Sequence, residues 1–135
     1  FITQIFNSKS LVDENIYLKL LGDKLEANLG YIYENAAAQI INSFGRELVY
    51  HTWKVGSQTH PYEIDFLIDD KMKLIPIEIK SSETNNHKSI NEFAKKYSSR
   101  VSRRLLFSQN DISHDEMLEL KPIYLLPQFL KELDE

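Results

Sequence analysis

The sequence predicts a mixed α/β fold, a central mixed β-sheet flanked by helices, and three observations predict it. Residues 63–69 and 74–80 alternate between apolar and polar side chains and reverse on each other. Residues 25–44 carry an apolar stripe at helical spacing ahead of that pair. A capping signal at 89–92 opens a second helix, and an apolar run at 104–108 follows it as a strand. Period-two alternation marks half-buried strands, and a 3.6-residue period marks amphipathic helices. The order helix, three strands, helix, strand (α-β-β-β-α-β) buries its apolar faces by laying helices on a sheet.

The elements follow in chain order. Ile2, Ile5 and Phe6 can pack, and Asn7, Ser8 and Ser10 suggest a turn. Asp13 suits the start of a short helix carrying Ile16, Tyr17, Leu20 and Leu21, with Gly22 ending it. The main helix covers 25–44, with Asn28 as a start signal and Gly45 as the stop. Its stripe is Leu29, Ile32, Tyr33, Ala36, Ala37, Ile40, Ile41 and Phe44. Glu34 does not stand opposite that stripe. At ~100° per residue it shares a side with Gly30, Ala37, Ala38 and Ile41. Those neighbours are mostly small, so the helix can lie close to a sheet there. A carboxylate on such a face is either paired in a salt bridge or functional. Residues 47–55 read as a strand through Val49, Trp53 and Val55, and 56–61 as a loop.

The central hairpin then sets its own register. Pairing about a centre between Lys71 and Met72 puts Ile64 against Ile79, Phe66 against Ile77 and Ile68 against Ile75. The same register sets Asp65 opposite Glu78, with Lys80 two residues along on the same face. Directly opposed side chains have Cβ atoms roughly 5 Å apart, and like charges there repel. A compensating cation is needed, and Lys80 or a divalent metal can supply it. Lys71-Met72 is poor chemistry for a two-residue turn, so a four-residue loop over 70–73 is expected. Beyond a loop at 85–87, Ser89 to Glu92 has the form of a capping box. The helix it opens runs through Phe93, Ala94 and Tyr97. A short helix at 113–120 with a second capping box, a short strand at 122–126 and a helical end at 128–133 complete the reading.

A chain of 135 residues suits a single domain. Residues 25–110 are expected as its core, 1–24 as an N-terminal helical extension and 111–135 as a C-terminal one. Starting at Phe1 rather than Met, the chain is expected to be a fragment of a larger protein. It has no cysteine, which removes disulfides and thiolate metal sites and fits a cytoplasmic location. No apolar run approaches the ~20 residues of a membrane span. The net charge of -4 hides an asymmetry. Residues 71–104 carry 9 basic and 3 acidic side chains, between two acidic flanks. Lys88, Lys95, Lys96, Arg100, Arg103 and Arg104 form either a solvated helix face or an anion-binding surface. His51, His60, His87 and His114 are scattered without ligand spacing and read as surface or loop residues. Ser81, Ser82 and Ser89 have no His-Asp partners, which argues against a serine hydrolase. Trp53, Tyr50 and Tyr62 fit core packing better than base stacking.

Asp65, then Glu78-Ile79-Lys80 on the partner strand, with Glu34 on the preceding helix, resembles the PD-(D/E)XK nuclease superfamily. The element order over 25–110 is similar to its restriction-endonuclease-like core. The wording LGYIYENAAAQ, YHTW, YEIDFLI, IPIEIKSS and KSINEFAKKY is closer still. It resembles a domain of unknown function found C-terminal to the ATPase module of many prokaryotic AAA+ proteins and placed among PD-(D/E)XK-like folds. One departure is Ile64, where the nuclease motif often has proline. The resemblance implies phosphodiester hydrolysis on DNA with Glu34, Asp65, Glu78 and Lys80 as catalytic residues. It implies Mg²⁺ or Mn²⁺ held by Asp65, Glu78 and Glu34, and an ATPase module of the same protein as partner. No phosphate-loop motif G-x-x-x-x-G-K-S/T is present, so such a module lies outside this chain. A homodimer stays open. Two alternatives also stand: a neutralised surface cluster on a sheet, and a catalytically silent module that binds nucleic acid or regulates its ATPase. The acidic overall balance favours protein interaction over dedicated DNA binding.

Overall fold

The computed structural model of the chain describes residues 29–57, 59–81 and 87–135. The turn and short helix expected within 1–22, and Asn28 as a helix start, lie outside these residues. Helix α1, Leu29–Ser43, packs on the sheet through its small side: Ala37, Ala38 and Ile41 are buried, together with Asn35. Tyr33, Ile40 and Phe44, from the wider apolar stripe, pack at the margin of the same core. Gly45 ends the helix at φ +74°, its N–H donating to Asn42 O at 2.9 Å. Because Ala38 has no exposure, the α1–sheet distance depends on its size. Ala38→Leu is expected to cost about 1–3 kcal/mol by overpacking. Urea denaturation of the variant checks this, and a loss under about 0.5 kcal/mol would show that α1 can move away freely.

Two sheets follow. Strands β1 (His51–Trp53) and β2 (Tyr62–Ile64) pair antiparallel as a small ribbon. Strands β3 (Phe66–Asp70), β4 (Lys73–Ile79), β5 (Arg104–Ser108), β6 (Ser113–Asp115) and β7 (Leu118–Pro122) form a five-stranded sheet in the order β3-β4-β5-β7-β6. β4, β5 and β7 run parallel, and β3 and β6 are antiparallel edges. The fold is therefore mixed α/β. Helix α2, Lys88–Lys96, covers one face and α1 the other; a 3₁₀ turn, Ile123–Leu125, leads into α3, Leu126–Leu133, beside α1. Ile75, Ile77 and Ile79 of β4 enter a core with α1 and α3. Leu106, Leu118 and Leu120 enter a second core with Ile64, Trp53, Ile90 and Phe93. Arg46 ties the end of α1 to Asp69 and, at 2.6 Å, to Asp134 beyond α3. Among the described residues no helix is long and apolar enough to cross a membrane.

Several expectations are corrected. The 63–69 run is two strands in two sheets, broken at Asp65, so Ile64 pairs with His51 and not with Ile79. From Phe66↔Ile77 onward the expected register holds, but Asp70 pairs with Lys73. The reversal is therefore the two-residue turn Lys71-Met72, with Lys71 at φ 58°. The 47–55 strand shrinks to three residues, and Val49 O instead accepts from Leu67 N–H at 2.8 Å. The N-cap residue of α2 is His87, whose side chain makes no capping hydrogen bond, so the Ser89–Glu92 box does not form as the cap of that helix. Residues 113–120 are not a helix but the β6–β7 hairpin, turning at Glu116 with φ 54°. Leu118 and Leu120 are buried on one side of β7, and that period-two burial outweighs a local helix signal. After Pro122 the chain is helical where a strand was expected. Residues 113–133 thus supply two strands and a core helix to the main body.

Candidate functional site

The break at Asp65 builds the site. The β3–β4 ladder ends at Phe66↔Ile77, which leaves the Ile79 N–H without a backbone partner on that side. Asp65 Oδ2 accepts it at 2.8 Å. The side chain thus closes the ladder and is fixed beside the end of β4. Glu78 is one residue earlier on β4, with only 5% of its surface exposed. The Ile90 N–H, in the first turn of α2, donates to its carboxylate. Glu78 supplies from the sheet the acceptor that the local capping box does not. Its Oε2 is buried and has no hydrogen-bond partner among the described residues. Lys80 follows β4, its N–H donating to Phe107 O at 2.9 Å. Glu34 arrives from the small-residue side of α1, half-buried.

The electrostatics tie these groups together. Burial, then the charges of Asp65 and Glu63, push Glu34 up to about 7, against the pull of Lys80. Burial raises Asp65 to about 6, despite the Ile79 N–H and Lys80. Burial again leads in raising Glu78 to about 7; Lys80 opposes it, Asp65 adds to it, and His87 and the Ile90 N–H oppose it. Three carboxyls therefore share one lysine where water is scarce. Perturbed carboxyls of this kind cluster at functional sites more often than elsewhere. Among the described residues, no three carboxylate or imidazole groups are gathered closely enough to hold an ion by themselves.

The basic residues divide. Arg103 makes a two-pronged bond to Glu119, at 2.8 and 2.7 Å, which raises the guanidinium pKa and lowers that of the carboxyl. Arg104 donates to Asn91 at 3.2 Å. Lys88 lies over the Tyr62 ring and Lys96 over Tyr97, while Lys95 is 3.5 Å from Glu92. These three lysines and Arg100 are exposed. Trp53 is buried against Tyr62 and Phe93, which makes it a core residue, whereas Tyr50 is exposed. Two contributors were missed in the sequence. Glu63 adds negative charge to the cluster. His87 lies outside the helices and strands, as expected of a loop residue, but its side chain is only 14% exposed, with Nε2 2.6 Å from Asp115 Oδ2. No spacing rule finds it, because Asp115 lies on a hairpin that reads locally as a helix.

No curated protein matches the sequence. Among solved structures the chain is similar to protein VC1899 from Vibrio cholerae, at 17% identity and a TM-score of 0.45. That likeness covers 90% of this chain and 35% of the other, and is too distant to carry an argument. A family model described as a domain of unknown function (DUF4143) matches residues 29–126. Neither match assigns an activity or extends to the PD-(D/E)XK superfamily. The matched span holds α1, both sheets, α2 and the site residues Glu34, Asp65, Glu78 and Lys80, and the chain belongs to the DUF4143 family.

Proposed function

We propose that this domain is a divalent-metal-dependent, PD-(D/E)XK-like nuclease module acting on DNA and working with an ATPase module of the same protein. One observation carries the reading: Glu34, Asp65 and Glu78 are all raised by burial and all feel the charge of one lysine, Lys80, at the end of β4, and Glu78 Oε2 is buried without a partner among the described residues. Buried negative charge without enough positive charge is costly, and a hard cation is its natural complement. The donors present are carboxylate oxygens, which suit Mg²⁺ or Mn²⁺. Asp65 and Glu78 would hold the ion, with Glu34 reaching it through water. Few direct protein ligands fit Mg²⁺, which is commonly bound by one or two carboxylates and completed by waters and phosphate oxygens.

When bound, the ion would supply Lewis-acid polarisation of a phosphoryl oxygen and a lowered pKa for an attacking water. Lys80 would orient that water and stabilise the negative charge that develops on the phosphoryl group. The Ile79 N–H holds Asp65, and the Ile90 N–H holds Glu78, so neither carboxylate swings freely. Lys88, Lys95, Lys96 and Arg100 would meet the backbone phosphates, giving affinity and salt dependence without sequence choice. Arg104 is engaged by Asn91 of α2 and would support that surface, whereas Arg103, paired with Glu119 and lying over Phe129 of α3, would not face it. The site lies beyond the carboxyl end of β4, where sheets with parallel strands commonly bind ligands.

The test is calorimetric titration of Mn²⁺ into the wild type and Asp65→Ala, followed by a DNA-cleavage assay. Wild-type binding that Asp65→Ala abolishes, with cleavage that depends on the ion, is the expected result. Equal affinity in both proteins would remove the ion from this site. Salt-sensitive DNA binding without turnover would instead make the domain a silent interaction module.

A further inference from the structure

His87 occupies the N-cap position of α2 but makes no cap with its side chain. Its ring turns to the β6–β7 hairpin, where Nε2 lies 2.6 Å from Asp115 Oδ2. Its carbonyl accepts from Asn91 N–H at 3.3 Å as the helix begins. In that same first turn, Ile90 N–H donates to Glu78. One short stretch of backbone thus joins two side-chain contacts, His87 with Asp115 on one side and Ile90 with Glu78 on the other. A helix start that lacks its own cap is prone to fraying, and fraying here would release Glu78.

We propose that His87, held by Asp115, is a positioning residue that fixes the first turn of α2 and so aims the Glu78 carboxylate. The hairpin at the far edge of the sheet is then coupled to the site through one ring. The consequence for metal binding rests on the function proposed above; the positional claim does not. Groups that orient a metal-binding carboxylate typically matter by about 10–100-fold in affinity when removed.

The experiment has two readouts on the same proteins. Amide hydrogen exchange at Ile90, followed by NMR in metal-free protein, reports the helix start directly. His87→Ala and Asp115→Ala are each expected to speed it about tenfold or more, with Phe93 unchanged. The double variant should add little to either single one. His87→Gln should retain slow exchange, because its amide nitrogen can take the place of Nε2. Manganese calorimetry is then expected to show affinity about 10–100-fold lower in the two alanine variants and recovered in His87→Gln. Ile90 exchange in His87→Ala equal to that of the wild type overturns the proposal, whatever the metal does. A wild type that binds no Mn²⁺ overturns the metal reading instead, and Ile90 exchange still decides the positioning role. Should His87→Ala not fold, Asp115→Ala carries the same test from an exposed side chain.

Discussion

Glu78→Gln is expected to lower ion-dependent DNA cleavage by at least about 100-fold and, at pH 8, to make the metal-free protein more stable. The two effects share a cause. Glu78 is buried on a strand that is apolar on its other face, and burial is the largest influence raising it to about 7. A carboxyl displaced that far costs the fold up to roughly 3 kcal/mol once it is ionised. The amide keeps the shape and still accepts the Ile90 N–H, so it removes the charge without removing the contact. The melting temperature should rise by several degrees. With the charge gone, the amide is a poor ligand for a hard cation, and Asp65 alone would hold one weakly. Sites that hold uncompensated charge commonly trade stability for function. Thermal melts and a cleavage assay on one preparation check both halves. A variant that melts lower than the wild type at pH 8, or that cleaves equally well, would remove Glu78 from the role given to it.

The register that brings the site together was legible because alternation is strict in both strands of the hairpin. Phe66 faces Ile77 and Ile68 faces Ile75, as the pattern requires. The approach of Glu34 was legible from helix phase, since it shares a side with Ala37 and Ala38, which have no exposure. The break at Asp65 was not. Ile64 and Phe66 are both apolar and two apart, which is what a continuous strand shows. Yet Ile64 enters the core with Trp53 and Phe93, and Phe66 enters the core with Ile41 and Phe129. Alternation reports that a residue is buried but not against which layer. The break is what frees the Asp65 side chain to take the Ile79 N–H. The hairpin at 113–122 was obscured for a related reason. Its strands are short, Ser113 and Glu116 imitate a helix start, and β7 is held as a strand by the distant β5 as well as by its hairpin partner β6.

The metal-free protein is expected to be more stable near pH 5 than at pH 8, with a loss on the order of 10 °C in melting temperature over that interval. The sign follows from carboxyls raised in the folded state: Glu34 and Glu78 to about 7, and Asp65 to about 6. In the unfolded chain these groups ionise near their ordinary values, about 4. Below that range both states hold the protons and the fold bears no penalty. As pH rises from about 4 towards 7 the unfolded chain gives up these protons while the folded protein still holds them, and stability falls until the folded carboxyls have ionised too. Asp65 repels both Glu34 and Glu78, so the three contributions do not simply add. Glu119 works in the opposite direction. Held by Arg103, it is lowered in the folded state, so its contribution is present above the ordinary glutamate range and is lost as pH falls below it. The two limbs together give a maximum on the acidic side of neutral. Melts between pH 4 and 8.5 in a chelating buffer measure the curve. A flat profile, or stability that climbs steadily to pH 8, would mean that the three carboxyls are solvated and share no strained site. Millimolar Mg²⁺ or Mn²⁺ should lift the alkaline limb and leave the acidic limb unchanged, because an ion binds only the ionised cluster.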